Sequence, residues 1–453
     1  MLVKRFLLAL LSSFFIINTL WANDLTAKQI EEAIKNSPLK DQAQISISVR
    51  NVQNEQIIYE KDAKVLLHPA STLKAFTSAM ALDYLGPSYD FETAFYKIGQ
   101  TYYLKLSADP LMDEKTLSML ISQLQLKEIT IINDLLIDDS AIDDKRWGIG
   151  WMWDDNTNYY MPQITAYNLN HNLLNIQITP KKNKTSSIEI FPCYPVQIID
   201  QLKNSAKTDI KIDRNIFVTP DTITLSGEIA GPTSILVPAL NPQRYFVFLL
   251  EKTFNMYSIA FNPEIKNEKV PFVASKVVSV KHNIKEILNA MDKESDNLAA
   301  EVILKRVGAK YSNKTGSTED GLEVFKQYYK KLGLDTSEIK VVDGSGISHN
   351  DLLNSDWMTF ALSKISKNKY FDIYLNSLAS PLQDGTLKNR LPELKDNLHA
   401  KTGSIAGVSA LTGYLTTNSG QKICFAILIQ NFKGESTDAK NLEDSIMRII
   451  YNS

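Results

Sequence analysis

The chain has 453 residues with 49 Lys+Arg against 51 Asp+Glu and is 44% hydrophobic, 22% charged and 9% aromatic, which excludes disordered, collagenous and membrane-bundle classes. A formal net charge of −2 without a long run of one sign offers no electrostatic footprint for a phosphate backbone, so no nucleic-acid partner is expected. At ~100–200 residues per domain, a chain of this length holds several domains, each able to bury its own core.

Lys4 and Arg5 precede an apolar run from Phe6 to Leu20 that ends at Trp21-Ala22, the pattern of a cleavable signal peptide over residues 1–22. The run is shorter than the ~20 residues a spanning helix needs, and no later stretch is apolar for long enough. No membrane span is therefore expected, and the mature protein is expected in the periplasm. Ile45, Ile47 and Val49 alternate with Ser46 and Ser48, and Gln53-Asn54-Glu55 turns the chain into Gln56–Tyr59, which predicts a β-hairpin. From Ser71 to Leu85 the apolar positions Leu73, Phe76, Met80 and Tyr84 fall near helical spacing, and Gly86-Pro87 stops the helix. Residues from Phe91 to Pro271 read as mixed short strands and loops, a candidate insertion. The helical pattern returns over Ile284–Met291, Leu298–Val307 and Leu322–Leu332. Two alternating strands, Val408–Leu415 and Ile423–Gln430, precede a last helix near Leu442–Ile450. Cys193 and Cys424 cannot build a disulfide framework for such a chain and are read as free thiols.

Chemistry enters at Ser71-Thr72-Leu73-Lys74, where a helix start puts the hydroxyl and the amine three positions apart on one face. Serine is a poor nucleophile at its free pKa, and a Lys desolvated or crowded by another cation can be neutral enough to take its proton. Ser37-Pro38-Leu39-Lys40, Ser337-Glu338-Ile339-Lys340 and Ser419-Gly420-Gln421-Lys422 share the spacing, and the ordinary reading of such a pair is a helix cap beside a solvated Lys. Only Ser71 follows an apolar start, His68-Pro69-Ala70. Ser295-Asp296-Asn297 opens the next-but-one helix, and these residue types are also the usual N-caps. Lys401-Thr402-Gly403-Ser404 stands before the two terminal strands, where Gly403 lets a substrate lie against the backbone and Lys401 brings positive charge. Lys314-Thr315-Gly316-Ser317 repeats the letters, but it follows a helix and reads as a turn between helices.

These three motifs in this order resemble those of the serine D,D-peptidase and β-lactamase superfamily. The 224 positions from Ser71 to Ser295 narrow the resemblance to the long-insert D-alanyl-D-alanine carboxypeptidase/endopeptidase class of low-molecular-mass penicillin-binding proteins. Ala108-Asp109-Pro110, Gly150 to Asp155, Ala166 to Asn170, Asp343 to Ser348 and Asp384 to Leu387 also resemble family segments. The resemblance implies an α+β core, a five-stranded antiparallel sheet with helices, in two parts at 23–92 and 276–453. Between them it implies a mixed α/β insertion over 93–275, with an inserted domain at 93–178 and 236–275 and a nested domain at 179–235.

By position, the resemblance makes Ser71 the nucleophile and Lys74 its base, with Ser295 relaying the proton and Asn297 binding the substrate backbone. Lys401 supplies charge, Thr402 and Ser404 hold the terminal carboxylate, Gly403 lines the strand, and the N–H groups of Ser71 and Ser404 form an oxyanion hole. Asp155 and Tyr160 fall where relatives contact the third stem residue, while His349-Asn350 and Ala406 depart from the usual pattern. The implied substrates are peptidoglycan stem peptides, with β-lactam antibiotics as covalent inhibitors and neither metal nor cofactor. The five histidines form no His-Glu-x-x-His, and there is no Gly-x-Ser-x-Gly elbow. The alternatives are a β-lactamase or esterase on the same fold, or a catalytically weak cell-wall-binding scaffold.

Overall fold

The computed structural model describes residues 25–181, 184–216, 220–261 and 265–453; the expected signal peptide at 1–22 lies outside the described residues. Contacts divide the chain into two compact units. The first holds the described residues up to Tyr84 together with Leu288–Ser295 and Phe325–Ser453, and the second holds Leu85–Ile287 and Asp296–Val324.

The first unit is built on five antiparallel strands, β1 (Gln44–Asn51), β2 (Ile57–Lys61), β3 (Leu398–Ile405), β4 (Val408–Thr416) and β5 (Lys422–Gln430), in the order β3-β4-β5-β1-β2. The hairpin and both terminal strands fall where the alternation puts them. Ile45, Ile47, Leu411, Ile427 and Ile429 turn one face onto Leu442, Ile446 and Met447 of the last helix and onto Ile30 and Ile34 of residues 25–36, which are helical. Alternation would put Ser46 and Ser48 in water, yet both are buried. They bond the hydroxyls of Ser355 and Thr359, at 2.7 Å in each case, on the helix Ser355–Ile365 that covers the second face. The sheet is therefore covered on both sides, and hydroxyl pairs satisfy the polar positions that burial would otherwise penalise.

The helix expected from Ser71 begins as a 3-10 turn, Ala70–Leu73, and becomes α1 only at Lys74–Leu85. Pro69 stands at its N-cap, and Thr72 Oγ1 donates to the Pro69 carbonyl at 2.5 Å, which closes the tight turn. Later helices are α2 (Ile284–Lys293), α3 (Asn297–Ser312) and α4 (Thr318–Lys331). Phe76 of α1 packs on Tyr329 of α4 and on Trp357, and the Tyr329 hydroxyl donates to the Phe76 carbonyl at 2.8 Å.

In the second unit a five-stranded mixed sheet joins Asp90–Ile98, Thr101–Lys105, Asp134–Asp138, Ile265–Asn267 and Ser275–Asn283. Two three-stranded sheets further on share a separate apolar cluster of Ile176, Ile178, Ile223, Leu225, Ile229 and Val237. Two helices, Glu114–Leu126 and Pro242–Met256, stand where the sequence pattern reads as strands and loops, in the region for which the resemblance implies a mixed α/β insertion. Leu117, Leu120, Ile121 and Leu124 mark the first behind its Asp113 cap, and Asn241-Pro242 starts the second. Among the described residues no helix is long and apolar enough to cross a membrane. Cys193 is exposed, Cys424 is buried, and both are free.

Candidate active site

Ser71 and Lys74 sit at the junction of the 3-10 turn and α1, with Lys74 fully buried. The Lys74 Nζ lies 2.9 Å from Ser71 Oγ and donates to the Ser345 carbonyl at 2.7 Å. That carbonyl is presented by the loop Asp343–Ser348. Asp343 Oδ1 accepts from the N–H groups of Ser345 and Gly346, at 3.1 and 2.7 Å, and Oδ2 accepts from that of Ser348 at 2.8 Å. The same loop accepts from Thr77 Oγ1 through the Gly344 carbonyl at 2.8 Å. Family likeness had marked this segment without giving it a role. Its role in the structure is to aim the lysine.

A second brace precedes Ser71. His68 Nδ1 accepts from the Ala70 N–H at 2.9 Å, which leaves Nε2–H to donate to the Ser348 carbonyl at 2.8 Å. Burial holds the imidazole below its usual pKa, so it folds neutral. The unfolded chain takes up a proton near pH ~6.5 while the native ring refuses it, so this residue's contribution to stability declines as pH falls below that value. His68→Gln should lose that part of the acid dependence, read as a flatter plot of urea midpoint against pH between roughly 7 and 5.

The strand β3 carries Lys401, Thr402, Gly403 and Ser404. Gly403 lies so close to the turn before α1 that a Cβ would meet the Pro69 carbonyl at 2.9 Å and the Ser71 nitrogen at 3.0 Å. Lys401 is fully buried and donates to the Thr402 carbonyl at 2.9 Å. Burial, reinforced by the Lys74 charge, lowers its pKa. Thr402 Oγ1 donates to Thr386 Oγ1 at 2.7 Å, and Ser404 is exposed. Ser295, the last residue of the first unit's segment Leu288–Ser295, adopts a left-handed backbone with φ 62°.

Asp296 is an N-cap, its Oδ1 accepting from the Ala299 N–H at 3.0 Å, so the capping reading of the middle motif holds for its central residue. Asn297 starts α3 and donates from Nδ2 to the Tyr160 carbonyl at 2.7 Å. Asp155 and Tyr160 come together around Asn158, whose Nδ2 donates to Asp155 Oδ1 at 2.7 Å and to Tyr160 Oη at 2.9 Å. Burial and the Asp155 charge push the Tyr160 phenol up to about 12. The second unit thus joins Asn297, Tyr160 and Asp155, and the first joins Ser71, Lys74 and the β3 residues. In the duplicate motif, Lys314 is exposed and Gly316 bridges to Ile142 in the turn between α3 and α4.

A family model described as the D-Ala-D-Ala carboxypeptidase 3 (S13) family matches residues 26–452. The chain belongs to the S13 family of serine peptidases. S13 relatives include D-alanyl-D-alanine carboxypeptidase DacB of Haemophilus influenzae, 24% identical over 438 residues that make 91% of each chain. A D-alanyl-D-alanine carboxypeptidase of Actinomadura sp. is 26% identical over 438 residues, 89% of this chain and 80% of that one. The crystal structure of penicillin-binding protein 4 from Haemophilus influenzae shares the fold, with a TM-score of 0.83 at 23% identity over 94% of this chain and 99% of the other. A second structure of that protein, complexed with a β-lactam, gives a TM-score of 0.77 at 22% identity over the same shares.

Proposed function

We propose that this S13 peptidase is exported to the periplasm and removes the terminal D-Ala of peptidoglycan stem peptides through an acyl-Ser71 intermediate, with D,D-crosslinks as a second substrate. The observation that carries the reading is the buried Lys74 amine 2.9 Å from the Ser71 hydroxyl. A neutral Lys74 takes the hydroxyl proton as Oγ attacks the penultimate carbonyl. The carbonyl oxygen gains charge in an oxyanion hole formed by the N–H groups of Ser71 and Ser404. Ser295 passes the proton to the leaving D-Ala nitrogen, and the C–N bond breaks. Water then attacks the ester and returns Ser71. Asn297 holds the peptide backbone, while Lys401, Thr402 and Ser404 receive the terminal carboxylate. Asp155 and Tyr160 face the third stem residue; the close grouping of both with the segment that Asn297 grips supports this.

The domain organisation is part of the proposal, with an insertion over 93–275 between core parts at 23–92 and 276–453. Ile223, Leu225 and Ile229 of the separate apolar cluster support a nested domain at 179–235, packed on Ile176, Ile178 and Val237 at its borders.

Defined muropeptides incubated with the purified chain should lose one D-Ala, identified by mass. A single penicillin should add covalently and be retained, because its opened acyl group stays on Ser71. The adduct should disappear in Ser71→Ala. An adduct that survives this substitution would place the nucleophile elsewhere.

A further inference from the structure

Three consecutive residues of the second unit, Asn170, His171 and Asn172, hold left-handed backbones, with φ of 50°, 54° and 57°. Such a run is strained for L-residues, and asparagine tolerates it best. The two asparagines account for their own places. Asn170 donates its N–H to the Met112 carbonyl at 2.8 Å and its Nδ2 to Tyr245 Oη at 3.0 Å. Asn172 is fully buried, accepts the Leu169 N–H at 3.1 Å, and donates from Nδ2 to Asn168 Oδ1 at 2.9 Å and to the Gln163 carbonyl at 3.0 Å. His171 between them reaches outward instead. Its Nδ1 stands 2.7 Å from Asp296 Oδ2.

Asp296 is the central residue of Ser295-Asp296-Asn297, and capping of α3 occupies its Oδ1, which leaves Oδ2 to the imidazole. The next residue, Asn297, donates from Nδ2 to the Tyr160 carbonyl at 2.7 Å. Two consecutive residues of the motif are thus tied to two nearby points of the chain, Tyr160 and His171, all of them in the second unit. Backbone strain persists only where the surroundings hold it, and here the bonds of Asn170 and Asn172 hold a turn that aims an imidazole at the motif.

We propose that His171 is a positioning residue whose imidazole grips Asp296 and thereby fixes the turn that carries the Ser295 hydroxyl and the Asn297 amide. The inference rests on the roles given to Ser295 and Asn297 in the proposed mechanism. Without the grip, a carboxylate oxygen that is largely shielded from water loses its partner, and Asp296 can recover hydration only by turning, which moves the backbone of both neighbours. The bond to Asp296 holds the imidazole above its usual pKa against burial, and the charges of Asp113 and Asp109 act in the same direction. Asp109 also faces His282, whose Nδ1 lies 2.6 Å from its Oδ2. A neutral ring that keeps its proton on Nδ1 still donates, so the grip weakens and does not end as His171 loses its charge.

The test compares His171→Asn with His171→Asp in the full chain, by the second-order rate of acylation with a fluorescent penicillin at neutral pH. Both replacements tolerate a left-handed backbone and have one shape. Asn places Nδ2 as many bonds from the backbone as Nδ1 and so keeps a donor, whereas Asp sets a second carboxylate against Asp296. His171→Asn should react within ~3-fold of the parent, and His171→Asp about 10-fold or more slowly. Adding Asp296→Asn, which still caps α3, offers the new carboxylate a donor and should recover most of the His171→Asp loss. Equal rates in the two single variants, or a loss that the second substitution does not recover, make His171 a structural residue and overturn the inference. If His171→Asp fails to fold, His171→Gly takes its place, since glycine suits the backbone and removes the imidazole; the same loss is expected, and a rate equal to the parent's overturns the inference. A parent chain that penicillin never acylates at Ser71, or whose rate survives Asn297→Ala, rejects the roles beneath the inference, which is a different result.

Discussion

Replacing Lys401 with Met should slow acylation by a fluorescent penicillin about 10²-fold or more, while Lys314→Met leaves the rate unchanged. The two lysines open identical Lys-Thr-Gly-Ser runs, so sequence letters alone do not separate them. Their surroundings do. Lys401 is fully buried on a strand whose Gly403 approaches the Ser71 nitrogen, and burial with the Lys74 charge lowers its pKa. Met keeps most of the buried volume and removes only the ammonium, which under the proposed mechanism receives the substrate carboxylate in the transition state. Lys314 is exposed in a turn, where a substitution changes stability by no more than ~0.5 kcal/mol. Circular dichroism confirms that both variants fold. An inactive Lys314→Met beside an active Lys401→Met would overturn the motif assignment.

Gly346→Ala should be nearly as damaging, by a purely steric route. Gly346 has φ +77°, and a Cβ there would stand 2.0 Å from the Ala70 carbonyl oxygen and 2.7 Å from its carbon. The left-handed conformation alone costs an alanine ~1–2 kcal/mol, and overpacking against backbone adds ~1–3 kcal/mol. The loop cannot yield without moving the Ser345 carbonyl that holds Lys74, and Ala70 cannot yield without moving Ser71. Misplacement by ~1 Å can cost about 10²-fold in rate, so acylation should fall on that scale along with the urea midpoint. Gly333→Ala is the control. Its φ of +88° carries the same kind of strain with nothing within 4 Å, so it should lose stability and keep its acylation rate.

Much of the first unit could be read from the sequence because its signals are local. Alternation at Ile45–Val49 and Ile423–Gln430 marks strands, and three short motifs carry the groups proposed to react. The helix Glu114–Leu126 was legible too, in an Asp cap and an apolar stripe, but it is enclosed by short strands that made the whole region read as β and loop. The polar partners of Lys74 were not legible. Ser345 lies 271 positions from Lys74, and nothing in Asp343-Gly344-Ser345 announces that its carboxylate folds back on the loop's own N–H groups.

The position of β3 at the margin of its sheet has a further consequence. A margin strand offers unpaired N–H and C=O groups to any extended chain, including another copy of the protein. Here Ala379 pairs with Ala400 through both backbone bonds, at 3.2 and 3.0 Å, and so occupies the strand just before Lys401. The stretch of β3 beyond this pair is only a few residues long. Under the proposed reading, that length suits the last two or three residues of a stem peptide and is too short to template a sheet between molecules. The same truncation that admits the substrate would therefore guard the enzyme against strand-mediated self-association as its concentration rises.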